Sequence, residues 1–194
     1  MKDIAVIGGT YNPPTRAHEA IFAACLERPD MDEVWVMPSG VRIDKPQMLP
    51  DAARLAMLEL VKVESFDSDE RLSVTDFEQR LPQPSQTYQT TRALRQAYPD
   101  NRFWYVYGAD AYESMPTWEH GEELRRTIGT LLVPRSGYKL PPESDTIRHV
   151  QLPDTFRAVS STLVRQACQD GEPVGLSSPA VLNYIDQQQL YKRV

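Results

Sequence analysis

Residues 4–24 read IAVIGGTYNPPTRAHEAIFAA, and this stretch decides the fold. The apolar run Ile4–Ile7 is long enough for one buried strand. Gly8-Gly9-Thr10 follows, where the backbone can turn and a ligand can come close. Pro13 and Pro14 cannot donate backbone hydrogen bonds, which keeps Asn12–Thr15 out of a central strand or a helix interior. From Thr15 or Arg16 the spacing of Ile21, Phe22 and Leu26 predicts a helix. A strand, a glycine turn and a helix start leave free N–H groups and a positive dipole end facing one loop, which suits a phosphate. Thr15 and His18 are three apart, so on a first helical turn they share a face and point at the same anion.

The rest of the chain repeats the theme. Val34–Met37, Leu72–Phe77, Arg102–Tyr107, Ile128–Val133 and Val150–Leu152 read as strands. Asp51–Val63 (with Asp51 as N-cap), Thr87–Tyr98, Glu119–Arg126, Ser160–Asp170 (ended by Gly171) and Pro179–Leu190 read as helices. Apolar strands alternating with amphipathic helices predict an α/β fold, a mainly parallel sheet with helices on both faces. In such sheets ligands bind beyond the carboxyl ends of the strands. The chemistry is therefore expected in Gly8–His18, Pro38–Lys45, Gly108–Trp118 and the approach to Ser160. No repeat or linker divides the chain, so residues 1–194 are expected to form one domain.

Composition narrows the partners. The chain has 194 residues, 41% hydrophobic and 25% charged, with a formal net charge of −6 and no long basic block. That argues against a nucleic-acid polymer but not against a single nucleotide. No apolar run has membrane-spanning length and no signal-peptide pattern opens the sequence, so a cytoplasmic protein without a membrane partner is expected. Cys25 and Cys168 have neither metal nor disulfide spacing and read as free thiols. Oligomeric state is left open, a homo-oligomer included.

Three motifs carry the chemistry. Gly8-Gly9-Thr10-Tyr11-Asn12-Pro13-Pro14-Thr15-Arg16-Ala17-His18 resembles the nucleotidyltransferase signature G-x-[FY]-[DN]-P-x-[HT]-x-G-H, with Thr15 at the first His position and Ala17 in place of Gly. Ser160-Ser161-Thr162-Leu163-Val164-Arg165 places hydroxyls and N–H groups at a helix start with a guanidinium one turn on, and resembles that superfamily's second signature, I-S-S-T-x-[IV]-R. Gly108-Ala109-Asp110 followed by Met115-Pro116-Thr117-Trp118 resembles the pattern of bacterial nicotinate mononucleotide adenylyltransferases. Weaker likenesses join Met37–Gly40 and Lys45 to P-x-x-x-P-P-H-K (Asp44 replacing the His), Asp51–Met57 to S-x-x-R-x-x-M, Asp76–Glu78 to D-x-x-E, and Thr87–Thr90 to S-Y-T-x-D-T.

The resemblance implies a Rossmann-like nucleotidyltransferase fold and adenylyl transfer from ATP to a pyridine mononucleotide, with nicotinate favoured over nicotinamide. His18, Thr15, Lys45 and Arg165 are then the catalytic candidates. Gly8, Gly9, Thr10, Tyr11, Gly108, Asp110, Ser161 and Thr162 would join His18 and Arg165 around ATP. Thr10, Lys45, Tyr88, Thr90 and Trp118 would hold the mononucleotide, Trp118 stacking on its ring. Mg²⁺ would be bound through the ATP phosphates. The same chemistry on another phosphorylated acceptor, such as phosphopantetheine, and a catalytically silent nucleotide-binding protein remain as alternatives.

Overall fold

The computed structural model describes residues 1–41, 48–67, 69–153, 155, 158–173 and 175–192. Its elements run β1 (Asp3–Gly9), α1 (Arg16–Leu26), β2 (Glu33–Pro38), α2 (Asp51–Phe66), β3 (Leu72–Val74), α3 (Thr87–Ala97), β4 (Arg102–Gly108), α4 (Ala109–Ser114), α5 (Gly121–Thr127), β5 (Gly129–Val133), β6 (Ile147–His149), α6 (Ser161–Asp170) and α7 (Pro179–Gln187). Single 3₁₀ turns occupy Glu78–Arg80 and Met115–Thr117.

The strands form one six-stranded sheet in the order β3-β2-β1-β4-β5-β6, and every pairing is parallel. The chain winds outward from β1 to β3 on one side, then returns to β4 and winds outward to β6 on the other. The order reverses between β1 and β4, so a crevice opens at their carboxyl ends.

Strand alternation divides the core between the two faces. Ala5, Ile7, Val34, Val36, Val106, Leu131 and Val133 pack with Phe22, Met57, Leu58, Val181 and Ile185 from α1, α2 and α7. Ile4, Val6, Met37, Phe103, Tyr105 and Leu132 pack with Leu94, Tyr112, Met115 and Leu124 from α3 and the α4–α5 region. Helices thus cover both faces, as the strand–helix alternation predicts.

Several boundaries differ from expectation. The N-cap of α2 is Pro50, not Asp51; the Asp51 carboxylate pairs with Arg54 one turn on. The edge strand β3 ends at Val74, where the chain leaves the sheet for the 3₁₀ turn, although Thr75 still donates to the Val36 carbonyl at 3.0 Å. The last strand is Ile147–His149; Val150 prolongs it by a single bond to the Leu132 carbonyl, 2.9 Å. Helix α4 has only six residues, too few to show an apolar period in the sequence. Gly171 ends α6 in the left-handed conformation, φ 82°.

Candidate active site

The loop after β1 is built from below. The Tyr11 ring is buried, packs edge-on against His18 at 5.0 Å and Phe22 at 6.1 Å, and its hydroxyl donates to the Ile7 carbonyl at 2.7 Å. A side chain at Gly9 would place its Cβ 2.9 Å from that ring, so the position must stay bare. Tyr11 lies at the foot of the cleft and supports the loop with its ring.

Thr15 caps α1. Its backbone N–H donates to His18 Nδ1 at 3.0 Å, its hydroxyl lies 2.9 Å from the same nitrogen and 3.2 Å from the Val159 carbonyl, and it accepts the His18 N–H at 3.4 Å. A backbone N–H can only donate, so Nδ1 is the acceptor and the ring proton sits on Nε2. This corrects the expectation that Thr15 and His18 share one anion. Thr15 is fully buried and its hydroxyl is engaged with His18 and Val159. It fixes the ring and tautomer of His18, while His18 reaches the cleft.

That cleft has a volume of about 660 Å³, and its walls include Thr10, Asn12, His18, Ser161, Thr162 and Arg165. Two bonds tie the second motif onto the first, and a third braces it internally. Ser161 donates to the Pro13 carbonyl at 2.7 Å, Arg165 Nη1 donates to the Asn12 carbonyl at 2.8 Å, and Arg165 Nη2 donates to the Thr162 hydroxyl at 3.0 Å. Two stretches some 150 residues apart therefore become one wall of the cleft. Gln169, Tyr191 and Lys192 complete it, and none of these three carried a signal in the sequence.

A second, smaller cavity of about 170 Å³ opens on the other side of the β1 terminus. Gly8, Gly9, Ser39, Glu78, Thr87, Thr90, Tyr105, Tyr107 and Trp118 contribute to its walls. Trp118 meets Tyr107 edge-on at 5.6 Å. Burial pushes the Tyr105 hydroxyl up to about 12 and that of Tyr107 higher still, so both remain neutral donors. Glu78 braces the cavity, accepting the Gly40 N–H and the Thr90 hydroxyl, each at 3.2 Å.

Four expectations change here. Gly8 and Gly9, expected around ATP, line this cavity and not the larger cleft. Tyr88 is turned out of this cavity: its ring stacks on His120 at 4.0 Å and its hydroxyl reaches Glu123. Thr87 lines the wall instead, three residues before Thr90 and on the same face of α3. Starting the S-Y-T-x-D-T pattern at Ser85 puts Thr87 and Thr90 on its two threonines, which was the available signal. Thr10 lines the larger cleft rather than this cavity. Gly108 and Asp110 lie outside both walls; Asp110 faces Arg135 at 3.7 Å, and a Cβ on Gly108 would meet Asp110 Oδ1 at 2.3 Å. Gly108 is bare to let this pair cross it. Lys45 and Asp44 lie outside the described residues.

One buried side chain joins the two cavities. Arg54 is fully buried and donates to the Thr10, Ser39 and Leu49 carbonyls at 2.9, 2.7 and 3.2 Å. These belong to the loops after β1 and β2 and the approach to α2, so a single guanidinium sets their spacing.

The Cytidylyltransferase-like family model matches residues 6–167. Two bacterial relatives, from Synechococcus sp. (strain JA-3-3Ab) and Halalkalibacterium halodurans, are 34% and 32% identical. The matches cover 98% and 99% of this chain and 95% and 92% of the relatives, each named a probable nicotinate-nucleotide adenylyltransferase. The chain belongs to the nicotinate-nucleotide adenylyltransferase family. Its fold is also that of the Plasmodium falciparum nicotinic acid mononucleotide adenylyltransferase complexed with NaAD: the TM-score is 0.85 at 20% identity, over 98% of both chains. The family's Rossmann-like nucleotidyltransferase fold thus accounts for the all-parallel sheet and for a crevice at its switch point. Among the described residues no helix is long and apolar enough to cross a membrane.

Proposed function

We propose that the chain transfers the adenylyl group of ATP to nicotinate mononucleotide, forming the dinucleotide and releasing pyrophosphate in NAD biosynthesis. The observation that carries this reading is the pair of cavities meeting at Gly9 and Thr10, one lined by His18 and Arg165, the other by Trp118. ATP occupies the larger and the pyridine mononucleotide the smaller. A phosphate oxygen of the mononucleotide attacks the α-phosphorus, and the bond from that phosphorus to the bridging oxygen breaks with its electron pair leaving on pyrophosphate. The attacking phosphate is already anionic, so no general base is required. Catalysis is positioning plus stabilisation of charge. His18 donates from Nε2 to the phosphates, Arg165 holds the departing pyrophosphate, and Ser161 and Thr162 add contacts at the α6 terminus. Lys45 is assigned to the same phosphates.

A divalent metal, Mg²⁺ in this reading, enters with ATP. The described walls of the larger cleft carry no carboxylate, and among the described residues no cluster of His, Cys, Asp or Glu is arranged to hold an ion. The metal's part when bound is to neutralise phosphate charge. The test is pyrophosphate release with ATP and each of nicotinate mononucleotide, nicotinamide mononucleotide and phosphopantetheine. Turnover with the pyridine mononucleotides, nicotinate first, is expected. Turnover with phosphopantetheine alone, or ATP binding with no turnover on any acceptor, would refute the reading.

A further inference from the structure

After α7 the chain does not run off into solvent. Gln188 and Leu190 donate back to the Tyr184 and Ile185 carbonyls, and Gln189 and Tyr191 both adopt left-handed backbone, φ 53° and 61°. Residues with side chains seldom adopt that conformation unless their surroundings hold them there. The turn carries Tyr191 back onto the loop after β1. Its hydroxyl donates to Asn12 Oδ1 at 2.7 Å, across a sequence separation of 179 residues.

Asn12 is the junction of the nucleotide cleft. Its carbonyl accepts Arg165 Nη1, and its side-chain oxygen also accepts the Leu49 N–H at 3.4 Å. Burial raises the Tyr191 hydroxyl above the ordinary tyrosine value, which keeps it a donor. Lys192, the next residue, lines the same cleft, with its ammonium 3.5 Å from Asp186 and half exposed. Arg165 and Lys192 are the two Lys or Arg side chains among the described walls. They lie on α6 and beyond α7, brought to the same cleft by the turn after α7.

We propose that the Tyr191–Lys192 segment is part of the ATP site, Lys192 supplying a cation to the polyphosphate and Tyr191 acting as a positioning residue that holds Asn12 and, through it, Arg165. The proposal rests on ATP occupying the larger cleft. Lys192 exchanges its ion pair with Asp186 for the triphosphate when the nucleotide enters. The acceptor pocket shares no wall residue with this segment, so the effect is confined to one substrate.

The experiment uses the full chain and measures KM for ATP and for nicotinate mononucleotide, with titration of a non-hydrolysable ATP analogue alongside. Tyr191→Phe keeps the ring and removes one hydrogen bond; KM for ATP should rise about fivefold, the worth of one such bond. Lys192→Ala should raise it about tenfold, the loss of a charged hydrogen bond, and Lys192→Arg should restore most of it. KM for the mononucleotide should stay within twofold in each variant. Unchanged ATP affinity in both variants, or equal losses for the two substrates, would overturn the proposal. If Tyr191→Phe fails to fold, Lys192→Ala and its rescue by Arg decide alone. Analogue titration separates this result from the functional reading: a wild type that binds the analogue but turns over no acceptor refutes that reading and leaves the segment's test intact.

Discussion

The two cavities beside the β1 terminus are built on different principles. The nucleotide cleft is assembled by side chains that bond to backbone: Arg165 to Asn12, Ser161 to Pro13, Thr15 to Val159. Under the proposed function its recognition elements are the Arg165 and Lys192 charges and the polar groups of His18, Ser161 and Thr162. The acceptor pocket is assembled by packing: Trp118, Tyr105 and Tyr107 supply flat surfaces, with Glu78 as the polar brace. Its recognition elements are shape and aromatic area. Under the proposed function, the reaction falls to the wired side and the choice of acceptor to the packed side.

Arg54 is where that division can be broken, because it bonds to Thr10 on one side and Ser39 on the other. Arg54→Met should strip three buried or partly buried carbonyls of their donor. At about 1–3 kcal/mol for each unsatisfied group, the loss of folding stability should reach about 3 kcal/mol or more. Denaturant unfolding measures it, and the KM values of the surviving folded protein should rise for both substrates. A loss of less than about 1 kcal/mol would mean that the loops hold their spacing without the guanidinium.

His18→Ala tests the wired side alone. Turnover should fall by at least about a hundredfold, the usual effect of removing one preorganised charge stabiliser. Affinity for the mononucleotide should change little. Thr15→Val keeps the shape and removes the hydroxyl beside Nδ1, so it should cost less than His18→Ala. A Thr15→Val protein as slow as His18→Ala would move Thr15 from positioning to direct contact.

Trp118→Ala tests the packed side. Aromatic stacking is worth about 0.5–1.5 kcal/mol beyond area burial, so mononucleotide affinity should drop by about tenfold while ATP affinity holds. Isothermal titration of the two substrates separates them. Equal losses would make Trp118 a structural residue, its contact with Tyr107 being the part that matters.

The smallest expected effect belongs to Glu19 on α1, outside both cavity walls. Burial raises the Glu19 carboxyl above the ordinary glutamate value of 4.5, against the lowering influence of Arg16 and Ser65. A raised folded-state value means that the native protein binds this proton more tightly than the unfolded chain does. The resulting stabilisation is complete below the unfolded value and is lost as pH rises through the folded one. At neutral pH the ionised carboxylate therefore costs stability. Glu19→Gln should raise Tm at pH 7 by at most about 2–4 °C, the equivalent of about 1 kcal/mol in a chain of this size. The gain should vanish at low pH, and paired melts at the two pH values check it. A gain independent of pH would trace to packing instead.

The sequence by itself determined the sheet's direction, the first strand and helix, the α6 start and its glycine stop, because each is written in a run of neighbouring residues. The residues proposed to hold the phosphates were legible too: a helix N-terminus with its hydroxyls and guanidinium is a local object, written in Ser160–Arg165 and Gly8–His18. Tertiary structure decided what each of those side chains does. Thr15 and His18 share a helical turn by spacing, yet only burial against Val159 shows that one holds the other. Thr87 and Tyr88 are neighbours, and the docking of α3 on the sheet decides which of them faces the acceptor pocket. In the sequence Arg54 holds the arginine position of the S-x-x-R-x-x-M likeness with no role attached, and Tyr191 is a tyrosine past the last helix. Their partners lie 44 and 179 residues away, and only the folded chain brings a guanidinium to Thr10 and a phenol to Asn12. Local periodicity fixes elements because it depends on adjacent residues; the wiring of a site depends on which loops the sheet order brings together at its reversal, and that is settled only when every strand has found its place.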